Sequence, residues 1–193
     1  MVAMADKSVP TSDHIRDIIS FVEASPTSYH AVAELTRRLE QAGFQRLEET
    51  ESWPSVEGRR YVVRDGAVIA WITPEKVSQQ IGARIGGSHT DSPSFKLKPN
   101  ATVTNQGWQQ VGMEVYGGGL LNSWLDRDLG LSGRLVTCDG QAHLVRTGPI
   151  LRISQLAPHL DRTVNDDLKL DRQRHLMPIL SVGKPDLDVE DLL

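Results

Sequence analysis

The run from Ile85 to Pro93 constrains this chain more than any other segment. It reads Ile85-Gly-Gly-Ser-His-Thr-Asp-Ser-Pro93, with an apolar entry, two glycines, a histidine and an aspartate two positions apart, and a closing proline. In an extended backbone, residues i and i+2 project from the same face, so His89 and Asp91 project together while Thr90 turns away. We expect a strand from about Ile81 to Ser88 that delivers this pair at its C-terminal end, close enough to hydrogen-bond directly or through water.

A carboxylate beside an imidazole is the pairing that a metal site uses. One ring nitrogen of the histidine binds the ion, and the acid holds the other nitrogen and so fixes the tautomer and the ring orientation. Ligands also bind preferentially at the ends of strands in α/β sheets. The spacing alone is nevertheless weak evidence, because most such pairs are surface or satisfied core residues. On the pattern by itself, His89 and Asp91 are candidates for either role.

The overall composition excludes several classes of protein. A net charge of −4 over 193 residues, with no basic run interleaved with aromatics, argues against a nucleic-acid binder. The longest apolar run, Ala67 to Ile72, is too short to span a membrane, and the N-terminus has no apolar signal region. Cys138 is the only cysteine, which excludes intramolecular disulfides and a multi-thiolate zinc site. These features favour a cytoplasmic protein.

The first half of the chain has an α/β pattern. Apolar residues recur at helical spacing over residues 12 to 24, and a second helix is expected to begin near Thr27 or Ser28 and to end at Gly43. The run Tyr61 to Ile72 contains two β-rich stretches around Asp-Gly, which predicts a hairpin.

After Pro99 the pattern becomes β-rich. Short β-favouring segments alternate with glycine turns and predict strands at Ala101–Thr104, Val111–Tyr116, Leu131–Thr137 and His143–Arg146. We therefore expect two units, residues 1–97 and residues 98–193, the second mostly antiparallel.

Four ordered blocks together resemble the aspartyl aminopeptidase family of cocatalytic zinc metallopeptidases. The first is Gly87-Ser-His-Thr-Asp-Ser-Pro93. The second is Val111–Arg134, which includes Trp124-Leu-Asp-Arg-Asp128. The third is Pro149–Asn165, which includes Ala157-Pro-His-Leu-Asp-Arg162. The opening block, Phe21-Val-Glu-Ala-Ser-Pro-Thr-Ser-Tyr-His30, is similar to the family's helix–breaker–helix entry. The similarity extends from about residue 14 to residue 180.

The resemblance implies a fold, an activity and roles for three residues. The fold would be the N-terminal part of an α/β zinc-exopeptidase domain, at 1–97, followed by an incomplete, β-rich inserted dimerisation domain, at 98–193. The activity would be removal of N-terminal residues, preferentially acidic, from peptides, with two Zn²⁺ ions per active site and a homo-oligomer formed through the insertion. His89 would bind metal and Asp91 would be the catalytic-site acid that orients it, while His159 would bind either metal or substrate.

This sequence also departs from the family pattern. Family members are roughly twice as long, and their bridging aspartate, glutamate pair and later ligands correspond to positions beyond Leu193. Asp126 and Asp128 are open to two interpretations: they hold Arg127 or Arg134 in a structural network, or they bind a second metal ion.

The rival to an enzyme is a non-catalytic truncated product or fragment that acts at most as an assembly module. It is motivated by the only Glu-Glu pair, Glu48-Glu49, which precedes the His-Asp motif and is typical of solvated surface.

Overall fold

The computed structural model describes residues 11–53, 57–74, 82–183, 187–189 and 192, and these form two compact units. The division between the units falls between Asp91 and Ser92. The sequence-based boundary between residues 97 and 98 lies within a continuous strand, β4, which runs from Ser94 to Asn105.

Two helices open the first unit, as the apolar spacing predicts. They are α1, Thr11–Ala24, and α2, Ser28–Gln41. The Thr27 side chain caps α2 by accepting a hydrogen bond from the His30 backbone N–H at 3.3 Å. After α2 the chain turns at Gly43, whose φ of 81° lies in the left-handed region that glycine adopts at little cost. No helix in the described part of the chain is long and apolar enough to cross a membrane.

A three-stranded sheet follows, with the order β1-β2-β3. Its strands are β1, Gln45–Arg46, β2, Gly58–Arg64, and β3, Ala67–Thr73. The predicted hairpin is confirmed: β2 and β3 pair antiparallel from Gly58↔Thr73 to Arg64↔Ala67. Tyr61 on β2 is completely buried, and its hydroxyl donates a 2.6 Å hydrogen bond to Oε1 of Glu40 on α2. This contact ties the sheet to the helix.

The strand expected from about Ile81 to Ser88 is not formed over its described residues. Residues 82–89 have no regular secondary structure, and Ile81 lies outside the described residues. An extended segment becomes a strand only when a neighbouring strand accepts and donates its backbone hydrogen bonds. The described sheet of this unit contains only β1, β2 and β3, and the Ile85 side chain is 91% exposed. The prediction failed because local pattern does not supply a pairing partner.

The second unit is built from β-strands, as its sequence predicts. After β4 come β5, Trp108–Tyr116, β6, Asp128–Leu129, β7, Ser132–Val136, β8, Ala142–Arg146, β9, Leu151–Arg152, and β10, Ile179–Val182, with a 3₁₀ turn at Leu121–Trp124. Five of the strands form a sheet in the order β4-β5-β10-β9-β6, and β7 pairs with β8 as a separate antiparallel hairpin. The core consists of Ala101, Val111, Met113, Leu131, Leu151 and Val189.

Candidate metal-binding site

His89 and Asp91 are in contact at the end of the first unit. His89 Nδ1 lies 2.7 Å from the main-chain oxygen of Asp91 and 3.3 Å from its carboxylate Oδ1. Because a carbonyl oxygen can only accept, the shorter contact requires the proton to be on Nδ1. Nε2 then carries the lone pair that a metal ion needs, and the imidazole is 78% exposed. The contact expected from the spacing is present, but a loop rather than a strand provides it.

Thr90 points away from this pair, as alternation along an extended chain predicts. Its hydroxyl donates a 2.6 Å hydrogen bond to the main-chain oxygen of Gly66, in the turn that joins β2 to β3. Thr90 and Asp91 are partly buried, whereas residues 82–89 are exposed. The His-Asp segment therefore reaches the body of its unit at Thr90.

His159 lies on an exposed turn in the second unit. The backbone N–H groups of Leu160 and Asp161 both donate to the oxygen of Ala157, at 2.9 and 3.1 Å, and Asp161 Oδ1 accepts from the Thr163 N–H at 3.0 Å. These bonds close the turn around His159 and leave its side chain at the surface. The turn makes the imidazole accessible to a ligand.

The described residues contain no group of three or more His, Cys, Asp or Glu side chains that could hold a metal ion. A catalytic zinc centre uses three protein ligands and an open position for water. His89, with its Nδ1 held, fits one such ligand position, so the residues present supply part of a zinc site and not the whole.

Asp126 and Asp128 belong to an ion-pair network with Arg152. Arg152 Nε lies 3.7 Å from Asp126 Oδ1 and its Nη1 lies 3.0 Å from Asp128 Oδ1, while the Gln155 N–H donates to Asp126 at 3.3 Å. The structural interpretation of these acids had pointed to Arg127 or Arg134. Asp128 and Arg152 face each other in the β6–β9 register, and that pairing has no signature in the sequence.

The Glu48-Glu49 pair is a surface feature, as expected. Glu48 pairs with Arg46 at 2.7 Å and Glu49 with Arg64 at 2.6 Å, and all four side chains are substantially exposed.

Comparison with known proteins places these residues in a family. The model of the aminopeptidase I zinc metalloproteases, M18, matches residues 21–191. The chain belongs to this M18 family. A probable M18 family aminopeptidase 2 from Streptomyces avermitilis is 54% identical over 172 residues, which are 88% of this chain and 40% of that protein. The chain thus spans about 40% of the length of the curated relatives that it matches most closely here.

Solved M18 structures have the same fold. A cryo-EM structure of the Ape4 and Nbr1 complex superposes with a TM-score of 0.82 at 34% identity, over 95% of this chain and 37% of that chain. The mApe1 dodecamer of Saccharomyces cerevisiae gives a TM-score of 0.61 at 25% identity, over 89% of this chain and 48% of that chain. The mixed α/β architecture is therefore the M18 architecture.

Proposed function

We propose that this chain is the N-terminal part of a zinc-dependent aminopeptidase that removes N-terminal residues, preferentially acidic ones, from peptides. The observation that carries the proposal is the His89–Asp91 arrangement, in which Nδ1 is held and Nε2 is available at the surface. Membership of the M18 family and relatives named as M18 aminopeptidases support the same function.

In the proposed site, His89 Nε2 holds one of two zinc ions, and Asp91 keeps the imidazole in the tautomer that can ligate. Bound zinc would polarise the scissile carbonyl and lower the pKa of a bound water. His159, on its exposed turn, would contact the substrate or complete a ligand set. Because the described residues offer no cluster of three ligands, we assign the remaining ligands and the general base to the part of the relatives that this chain does not match.

The two units would have different tasks. Residues 1–97 would form part of the catalytic domain, and residues 98–193 would form part of an inserted dimerisation domain through which a homo-oligomer assembles. The dodecameric assembly of the yeast relative supports an oligomer. A cytoplasmic location fits the single cysteine, and the net charge of −4 fits a protein that acts on peptides and not on nucleic acid.

The test is a peptidase assay on two forms of the protein. A form extended with the relatives' C-terminal part should release N-terminal aspartate from a peptide, lose activity with a chelator, and lose it on His89→Ala. His143→Ala is the matched control, since His143 is an exposed histidine on β8, and activity should be kept. The 193-residue chain alone should bind zinc weakly and show no turnover, because it lacks most ligands and a general base, which contributes about 10²–10⁴-fold in rate.

The second candidate function is a non-catalytic assembly module, favoured by the lack of a three-ligand cluster among the described residues. It predicts a chain that self-associates without zinc. Sequencing downstream of codon 193 separates the two: an in-frame continuation carrying a glutamate pair supports the enzyme, and its absence supports the module. Chelator-sensitive turnover by the 193-residue chain would contradict the ligand count.

A further inference from the structure

The segment that carries the candidate metal ligand has no strand partner among the described residues, yet it is fixed at one point. Residues 82–89 are exposed and without regular structure. Thr90, between the two residues of the site, donates its hydroxyl hydrogen to the Gly66 carbonyl at 2.6 Å. A bond this short to a main-chain oxygen is independent of the side chain at position 66, but it depends on where the turn places that oxygen.

The turn itself is held against α2 by close contact. A Cβ added to Gly66 would lie 2.7 Å from Ser28 Oγ and 3.1 Å from Ser28 Cβ, nearer than atoms in folded proteins approach. Gly66 is therefore needed for space and not for a left-handed φ, which belongs to its neighbour Asp65 at 51°. Ser28 is the first residue of α2, so the position of the Gly66 carbonyl is referred to a helix end capped by Thr27.

We propose that Thr90 is a positioning residue for His89, acting through Gly66 and Ser28. The hydroxyl bond fixes the backbone at Thr90, and this places the Asp91 carbonyl where it accepts the Nδ1 proton of His89. Nε2 is then presented in one orientation. The inference rests on the proposed role of His89 as a metal ligand, and it adds the element that orders the ligand in a loop without strand pairing.

The test compares Thr90→Val with Thr90→Ser in the 193-residue chain. Valine keeps the branched shape and removes the donor, while serine keeps the donor. Backbone ¹⁵N order parameters of residues 89–91 should be near about 0.85 in the original chain and with serine, and should fall below about 0.6 with valine. Signals of β2 and β3 show that each variant is folded. Equal order in both variants, or equal loss in both, overturns the proposal.

A second pair of variants tests the same contact from the other side. Gly66→Ala should push the turn away from α2 and lower the order parameters of residues 89–91 as Thr90→Val does. Adding Ser28→Gly removes the atoms that the new Cβ meets, so the double variant should recover the order. Unchanged order in Gly66→Ala, or no recovery in the double variant, contradicts the proposal.

Zinc binding provides a separate readout. Zn²⁺ added to the chain should shift the His89 ring signals, and Thr90→Val should weaken this binding roughly two- to tenfold, because fewer molecules hold the competent orientation. If zinc leaves the His89 signals unchanged while the order parameters respond as expected, the proposed function fails and the positioning role stands. If zinc binds equally well to both forms and the order is unchanged, only the positioning role fails.

Discussion

The buried Tyr61–Glu40 contact allows a quantitative test of how the first unit is held together. Tyr61→Phe removes one hydroxyl from a completely buried ring and leaves the volume of the ring in place. The lost bond is a 2.6 Å hydrogen bond to a carboxylate. Such bonds contribute about 1.5–3 kcal/mol. Because Glu40 is exposed and water can replace the donor, we expect a loss near the lower end of this range at pH 7.

The same contact predicts how stability depends on alkaline pH. Burial, and then the hydrogen bond to Glu40, raises the pKa of Tyr61 from 10.0 to about 12. A raised pKa means that the folded state keeps a proton that the unfolded state releases, so this contribution is full below pH 10 and is lost as pH rises through about 12. A shift of about two pH units corresponds to about 3 kcal/mol. Tyr61→Phe should lack this alkaline loss.

The assay is urea unfolding followed by circular dichroism at 222 nm, from pH 7 to pH 11.5. Both described α-helices lie in the first unit, so this signal reports the unit that contains Tyr61. Glu40→Gln is the matched variant: burial is the largest cause of the pKa shift, so most of the alkaline loss should remain. The reasoning is refuted if Tyr61→Phe and the original chain lose stability in parallel above pH 10, or if the substitution is neutral at pH 7.

Three further predictions concern the core, the helix surface and the candidate ligand. Leu176→Ala should cost about 2–5 kcal/mol, because Leu176 is 1% exposed, whereas Leu160→Ala should stay within about 0.5 kcal/mol, because Leu160 is 76% exposed; urea midpoints measure both. Hydrogen bonds, first from Arg37, lower the pKa of Glu34 to about 2, so its contribution is present above pH 4.5 and is lost as pH falls through about 2. Glu34→Gln should therefore flatten the acid limb of a stability profile, and an unchanged limb would contradict this. His89→Ala should abolish the zinc-dependent ring signals of the chain, and their persistence would assign the binding to another histidine.

Local pattern was sufficient for elements whose hydrogen bonds close within the element or with its immediate neighbour. The apolar period of residues 12–24 and the Asp-Gly pair at 65–66 encode α1 and the β2–β3 hairpin, and both form as predicted. The His89–Asp91 contact belongs with them, because a spacing of two residues brings the side chains together whenever the chain is extended. Family membership was also readable from the sequence, since the ordered motifs cover most of the chain.

The tertiary structure decided everything that depends on a distant partner. The segment before His89 has the composition of a strand but lacks a neighbouring strand in the described sheet, so it remains exposed loop. Asp128 meets Arg152 only because β6 pairs with β9, and Thr90 meets Gly66 only because the hairpin turn lies beside the segment. A sequence records which groups can donate, accept or carry charge. Which of them meet is set by chain topology, since a backbone or side-chain group is satisfied by whatever the fold brings within about 3 Å.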